Sequence, residues 1–271
     1  MSPPSISLLG IPWDANSSYR FGCADGPRAM RAALHSGSGN HASEASVEVV
    51  PLLDDLGDLV LENTAGSVAD AAAITDAVAT ELHRGRSIIS VGGDHAVTYP
   101  ILRAFRDHVG GKGLTVVHVD AHPDLYDDLD GNPLSHASPF ARALEDGCMS
   151  TLVQLGIRTA NPHQRAQAAR WGVEMIGARE LDRFDPSALS GPIYVSIDLD
   201  GLDPSVAPGV SHHEPGGLTV REVLAVIESL PGPIVGADVV ELNPSRDLVD
   251  MTAMVAAKLV KELTGTIDAR R

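Results

Sequence analysis

Leu114-Thr115-Val116-Val117-His118-Val119 runs directly into Asp120-Ala121-His122-Pro123-Asp124. A short, mostly apolar run of this kind reads as a strand covered on both faces. The segment that follows carries Asp120, His122 and Asp124 at alternate positions, and residues two apart share a face of an extended chain. The construction recurs. Tyr194-Val195-Ser196-Ile197 leads into Asp198-Leu199-Asp200-Gly201-Leu202-Asp203-Pro204, and the apolar run 87–91 leads into Gly92-Gly93-Asp94-His95. If these strands lie side by side, their ends deliver two imidazoles and four carboxylates to one place. Open α/β sheets build their sites at strand carboxyl ends. Asp94 and Asp203 read instead as residues that cap or brace the turns.

Working outward, the apolar runs are 6–9, 49–53, 87–91, 114–119, 152–155, 173–176, 193–197 and 234–237. Helical signals separate many of them. The stretch 67–84 opens on Ser67 with Asp70 three residues on and stops at Gly85. Asn161-Pro162 is an N-cap followed by proline at the first helical position, and Gly172 ends that helix. Thr219 with Glu222 forms a capping box. The stretch 251–263 has a helical period and ends at Gly265. This alternation predicts a wound, mainly parallel α/β sheet with helices on both sides, as one domain over 1–271. Residues 35–48 and 124–139 are polar and irregular. The second loop follows a candidate metal motif directly, which suits it to substrate contacts.

The chain has 271 residues, 44% of them hydrophobic, enough for one large α/β domain and inconsistent with disorder as the main state. Its formal charge of −16 argues against a nucleic-acid partner, whose phosphates need a basic face, and is compatible with a cationic substrate. Cys23 and Cys148 are too few for a disulfide framework and read as reduced thiols. No N-terminal stretch resembles a signal peptide and no run approaches the ~20 apolar residues of a membrane span. The expectation is a soluble, cytoplasmic protein with no membrane partner.

Charge decides between one ion and two. Four carboxylates around a single divalent cation would leave about two negative charges buried, whereas two cations balance the set. Hard oxygen ligands with only two imidazoles favour manganese or a similar ion over a thiolate-type zinc site. Two ions sharing one water lower its pKa toward neutrality and make it a nucleophile.

With these motifs the chain resembles the ureohydrolase family, which contains the arginases and agmatinases. The likeness spans nearly the whole sequence, from Gly10-Ile11-Pro12-Trp13-Asp14 to Thr252-Ala253-Met254-Val255-Ala256-Ala257-Lys258. Asp120-Ala121-His122-Pro123-Asp124-Leu125-Tyr126-Asp127, Ser135-His136-Ala137-Ser138, Gly156-Ile157-Arg158 and Glu214-Pro215-Gly216-Gly217-Leu218 are most similar to the plant-type arginase branch and its bacterial relatives. The resemblance implies a three-layer α/β/α sandwich with a central sheet of about eight strands. It implies two Mn2+ ions, with Co2+, Ni2+, Fe2+ or Zn2+ as other divalent choices, and hydrolysis of a guanidino group to urea and an amine. It further implies that His95 and Asp124 serve the first ion, His122 and Asp200 the second, and that Asp120 and Asp198 bridge them. Asp124 would also orient the nucleophile, His136 would shuttle a proton to the leaving amine, and Glu241 would hold the guanidinium. A homo-oligomer, trimer or hexamer, follows from the resemblance alone.

Substrate identity lies outside the ligand set. Asn132, Ser135, Ser138 and Asn161 are the hydrogen-bonding candidates for the substrate, beside Glu241, and His163, His212 and His213 are candidates for the outer site. Asn161 stands near where better-known arginases carry an acid for the α-amino group. The expected substrate is a small cationic guanidine, arginine first, with agmatine or another guanidino or formimino acid as alternatives. A single-zinc deacetylase and a non-catalytic metal-binding role are the readings from other classes.

Overall fold

The apolar runs close into one sheet. The computed structural model describes residues 5–109 and 113–270. Among them the strands are β1 (Ile6–Ile11), β2 (Leu53–Asp58), β3 (Ser87–Gly92), β4 (Thr115–Val119), β5 (Thr151–Ile157), β6 (Glu174–Gly177), β7 (Ile193–Asp198) and β8 (Ile234–Val240). They pair in the order β2-β1-β3-β8-β7-β4-β5-β6, every pair parallel. The helices are α1 (Gly26–Leu34), α2 (Val68–His83), α3 (Thr98–Val109), α4 (Pro139–Glu145), α5 (Pro162–Trp171), α6 (Val220–Ser229) and α7 (Met251–Ala269).

Two cores make three layers. On one face Met30, Leu34, Val223, Ile227, Val260 and Leu263 of α1, α6 and α7 pack with Val117, Val119, Val195 and Ile197 of the sheet. On the other, Ile74, Val78, Ile101, Phe105 and Phe140 of α2, α3 and α4 pack with Ile88, Val116 and Tyr194. Burying each such side chain stabilises the fold by about 1.5–3 kcal/mol, so both faces of the sheet must be covered. The expected α/β/α sandwich is the observed one.

The predicted caps are present. The Ser67 side chain accepts from Asp70 N, and Asn161 and Thr219 form capping boxes with Gln164 and Glu222. Two expectations are corrected. The run 49–53 is not a strand: Val50–Leu52 form a short 3-10 turn with Pro51 in it, and β2 starts at Leu53. That edge strand reads Leu53-Asp54-Asp55-Leu56-Gly57-Asp58 and is too polar to register as an apolar run. Arg31 and Arg86 neutralise it through Asp55, Asp58 and Asp54. Helix α7 also does not stop at Gly265. A Cβ at Gly265 would lie 2.8 Å from Ser43 Oγ, so the glycine admits a close neighbour rather than ending the helix.

The four central strands, β3-β8-β7-β4, matter for function. Their carboxyl ends lead into Asp94 and His95, Glu241, Asp198 and Asp200, and Asp120, His122 and Asp124. Segments far apart in sequence thus open on one crevice.

Candidate metal centre

Each ligand candidate is aimed by the turn that follows its strand. After β3 the chain passes under Trp13 so closely that a Cβ at Gly93 would lie 2.1 Å from Trp13 O. Asp94 then caps the next turn, accepting from Ala96 N at 3.1 Å and from Asn16 N at 3.0 Å, and so points His95 inward. After β7, Asp198 Oδ1 accepts from Asp200 N at 2.7 Å, which closes the Leu199–Gly201 turn and turns Asp200 to the same side. Asp124 and Glu241 both adopt left-handed backbone, φ 50° and 65°. For residues with a Cβ that conformation is strained, and it tends to persist where the surroundings impose it, often at a functional site. Glu241 is pinned by a bond from its amide to Gly93 O at 2.8 Å.

The result is two linked groups. His95 Nδ1 lies 3.1 Å from Asp120 Oδ2, 3.1 Å from Asp124 Oδ2 and 3.1 Å from Asp198 Oδ2. His122 Nδ1 lies 3.1 Å from Asp200 Oδ2 and 3.4 Å from Asp120 Oδ1. Asp120 therefore turns one oxygen to each imidazole. All four carboxylates are buried. Burial pushes Asp198 well above the usual carboxylate range, and the charges of Asp200 and Asp120 add to it. Burial likewise pushes Asp200 up, to about 7, against the pull of His122.

Does this cluster fit cations? His95 Nδ1 is buried and has no hydrogen-bond partner, although three carboxylate oxygens surround it. Its other nitrogen carries a proton. Ser196 Oγ gives its only proton to Asp238 Oδ1 at 2.7 Å, so at 3.0 Å it must accept from His95 Nε2–H. Burial opposes charge on the ring, but Asp120, Asp124 and Asp198 override it and raise the imidazole well above its ordinary value, so without a cation a second proton sits on Nδ1. A cation that displaces that proton finds a neutral ring protonated at Nε2 with its Nδ1 lone pair free, as a metal ligand has. A buried imidazole nitrogen facing three carboxylate oxygens, with a proton to give up, is a donor set for hard divalent cations.

Sequence reasoning missed the residues beneath this layer. Ser90, Asp238, Ser196, His118 and Gln154 stand in register across β3, β8, β7, β4 and β5, all buried. Gln154 Nε2 donates to His118 Nδ1 at 3.0 Å, so His118 Nε2–H faces Asp120 Oδ2 at 2.8 Å. Burial keeps the His118 pKa below its ordinary value, against the pull of Asp120. Asp238 also accepts from Thr98 Oγ1 at 3.0 Å and Tyr194 OH at 2.7 Å. The signal was present, because each of these apolar strands is interrupted by one such polar residue.

Beside the cluster, His136 Nδ1 lies 3.1 Å from Glu241 Oε1, which also accepts from His95 N at 3.1 Å. Cys23 Sγ donates to the other oxygen, Oε2, at 3.3 Å. Burial opposes the Glu241 carboxylate, but His136 and His212 outweigh it and hold its pKa at about 2. Burial opposes charge on His136 too, and Glu241 overrides it, raising the imidazole to about 9. The Ser18 amide aims at His136 Nε2 from 3.1 Å and disfavours a proton there. The ring is held between these two influences.

A cavity of about 190 Å³ opens onto His122, Asp124, Asp198, Asp200 and His136. A larger one, about 370 Å³, lies away from the ligand cluster beside Arg158. Of the expected substrate contacts, Asn132, Ser135, Ser138 and Asn161 do not line the site cavity; Ser18, Tyr126, Thr159, Gln164 and His212 do. Asn132 is occupied with Asn16 Oδ1 and Leu134 N, Ser135 with Ala137 N, and Asn161 with capping α5 and with Tyr126 OH at 2.6 Å. Ser138 is fully buried. Glu241 lies behind His136 and also does not line the cavity. His163 stacks on Tyr126 and His213 bonds Pro208 O.

An arginase-family model matches residues 4–265. The chain is 42% identical to mitochondrial arginase 1 of Arabidopsis thaliana over 279 residues, covering 97% of this chain and 81% of that protein. It is 35% identical to a guanidinopropionase of Pseudomonas aeruginosa, covering 95% of this chain and 85% of that one. The solved arginase from Medicago truncatula superposes with a TM-score of 0.87 at 40% identity, covering 98% of this chain and 88% of that one. The plant relatives are mitochondrial, which overturns the expectation of a cytoplasmic protein. Among the described residues no helix is long and apolar enough to cross a membrane.

Proposed function

This chain belongs to the arginase family, and on that premise we propose that it hydrolyses the guanidino group of L-arginine to urea and L-ornithine. The observation that carries the reading is the buried Nδ1 of His95, without a hydrogen-bond partner inside a ring of carboxylates, with Glu241 and His136 alongside. His95, Asp120, Asp124 and Asp198 would hold one Mn2+, and His122, Asp200, Asp120 and Asp198 a second, within a single ureohydrolase-type domain that assembles as a homo-oligomer. Bound there, the ions would supply Lewis-acid activation of water and offset charge that develops on attack.

The protein's own groups do the rest. Glu241, ionised and buried, is the natural partner for a guanidinium. His136 now occupies that acid, so an arriving guanidinium exchanges one charge-assisted pair for another. The displaced imidazole then faces the cavity, where it can hand a proton to the departing amine nitrogen. Asp124, strained and facing the same space, orients the attacking water.

A second reading concerns the far end of the substrate. Ser18, Tyr126, Thr159, Gln164 and His212, which line the cavity beside the candidate ligands, include no carboxylate and no Lys or Arg for an amino-acid end. That favours tolerance of other guanidino compounds, agmatine included. Urea release measured over arginine, agmatine and shorter guanidino acids tests both. Release from none of them refutes the hydrolase, and a strong preference for agmatine refutes arginine.

A further inference from the structure

Gly156-Ile157-Arg158, at the end of β5, has no part in the chemistry above. Among the described residues the Arg158 guanidinium has no carboxylate partner. Every bond it makes goes to a main-chain carbonyl. Nε donates to Glu214 O at 2.8 Å, and Nη1 to Gly156 O at 3.2 Å and Gly201 O at 3.1 Å. Nη2 donates to Asp200 O at 2.7 Å, Leu202 O at 3.3 Å and Glu214 O at 2.6 Å. The Arg158 amide also donates to Ala121 O at 3.0 Å, within the 120–124 segment.

We propose that Arg158 is a positioning residue for the second metal position, that of His122 and Asp200. The inference rests on the metal reading above. Leu199–Gly201 is a single 3-10 turn in which Leu199 O accepts from Leu202 N and Gly201 O from Leu218 N, while Asp200 O and Leu202 O accept from the guanidinium. Asp198 closes the turn at the Asp200 amide, and the guanidinium holds it at the Asp200 carbonyl, so losing the guanidinium frees one of the two sides that set the Asp200 side chain. The guanidinium gathers three consecutive carbonyls, 200 to 202, and ties them to Gly156 and to Glu214. Its backbone holds Ala121, one residue from His122. Of the two side chains that face each other at 3.1 Å, Asp200 is thus braced by the guanidinium and His122 by the main chain of the same residue. Lysine cannot replace it, because three donors on one nitrogen cannot span carbonyls on three segments.

The 370 Å³ cavity borders this guanidinium. Water entering from there can satisfy carbonyls that a shorter side chain abandons. A variant should thus keep its fold and lose the brace.

The test is to strip the full-length wild type, Arg158→Lys and Arg158→Met of metal and titrate each with Mn2+ alone, following free Mn2+ by electron paramagnetic resonance. Melting of the stripped proteins is recorded in parallel. The wild type should take up two ions per chain. Both variants should bind the first with unchanged affinity and the second about tenfold or more weaker, with little change in melting. Wild-type affinity for both ions in both variants overturns the proposal. So does an equal loss at both positions together with a large drop in melting, which marks a purely structural residue. A wild type that takes up fewer than two ions overturns the metal reading itself, and this inference with it.

Discussion

Replacing Asp238 by asparagine should weaken the first ion, the one at His95, about 10- to 100-fold, or about 1.4–2.7 kcal/mol, without unfolding the protein. The reasoning is one of hydrogen-bond polarity. Asp238 Oδ2 accepts from two donors, Thr98 and Tyr194, and Oδ1 from one, Ser196. An asparagine keeps most by placing its carbonyl oxygen on the two-donor side. Its amide then faces Ser196 as a donor. Ser196 must accept from it and turn its own proton to His95 Nε2. The ring responds by carrying its proton on Nδ1, the nitrogen that faces the three ligand carboxylates. A cation must then drive the tautomer back before it binds. Weakening the bonds that remain to a neutral acceptor costs about 1 kcal/mol each, which a domain stable by about 5–15 kcal/mol tolerates. Tyr194→Phe is the control. It deletes one bond to the same carboxylate, costs about 1.5–3 kcal/mol of stability, and leaves the relay from Ser196 to His95 intact. Calorimetric Mn2+ titration with thermal melting separates the two effects. Wild-type affinity in Asp238→Asn, or an equal loss in Tyr194→Phe, would refute the polarity argument.

Glu241→Gln removes a charge-assisted bond worth about 1.5–3 kcal/mol and should lower kcat/KM about 10- to 100-fold with two ions retained, read by urea release and metal analysis. His136→Asn keeps a polar neighbour for Glu241 but cannot carry the proton; kcat should fall about 10²–10⁴-fold at unchanged metal content, and an unchanged kcat removes His136 from the reaction. Stripping the ions with a chelator should lower the melting temperature, and Mn2+ at about 100 times its Kd should restore about 2.7 kcal/mol. No shift would mean that protons, not cations, neutralise the buried acids.

Much of the fold is legible because a parallel sheet covered on both faces demands short apolar runs, and caps leave local signatures. Ser67, Asn161 and Thr219 cap as their spacing predicts. The misreadings have one cause each. β2 lies at an edge and is polar, so its identity depends on Arg31 and Arg86, which lie outside the strand and cannot be paired with it by local pattern. Gly265 is read as a helix stop because sequence cannot distinguish a glycine that ends a helix from one that admits Ser43.

The candidate ligand cluster is legible for the same reason that its support is not. Asp120, His122, Asp124, Asp198 and Asp200 fall at alternate positions past strand ends, a pattern contained within single segments. The layer beneath them exists only in register. Ser90, His118, Gln154, Ser196 and Asp238 come from five strands, and each alone is an odd polar residue in an apolar run. Burying one of them unpaired would cost about 1–3 kcal/mol, so a single one argues against a strand. In register they find partners, Ser196 with Asp238 and Gln154 with His118, while Ser90 Oγ has none, and the spacing gives the row a purpose. His118 and Ser196 lie two residues before Asp120 and Asp198, and two residues is the repeat that returns a side chain to the same face. The sheet thus stacks a row of hydrogen-bonding groups under a row of candidate ligands. The lower row fixes a proton on His95 Nε2, leaving Nδ1 as the nitrogen that can take a cation, and engages one oxygen of Asp120. A polar residue two positions before a candidate ligand, repeated in neighbouring strands, is therefore a stronger sign of a metal centre than the ligand alone. Asp-x-Asp after a strand is often only a turn, whereas the lower row has no use unless something above it must be held in one protonation state.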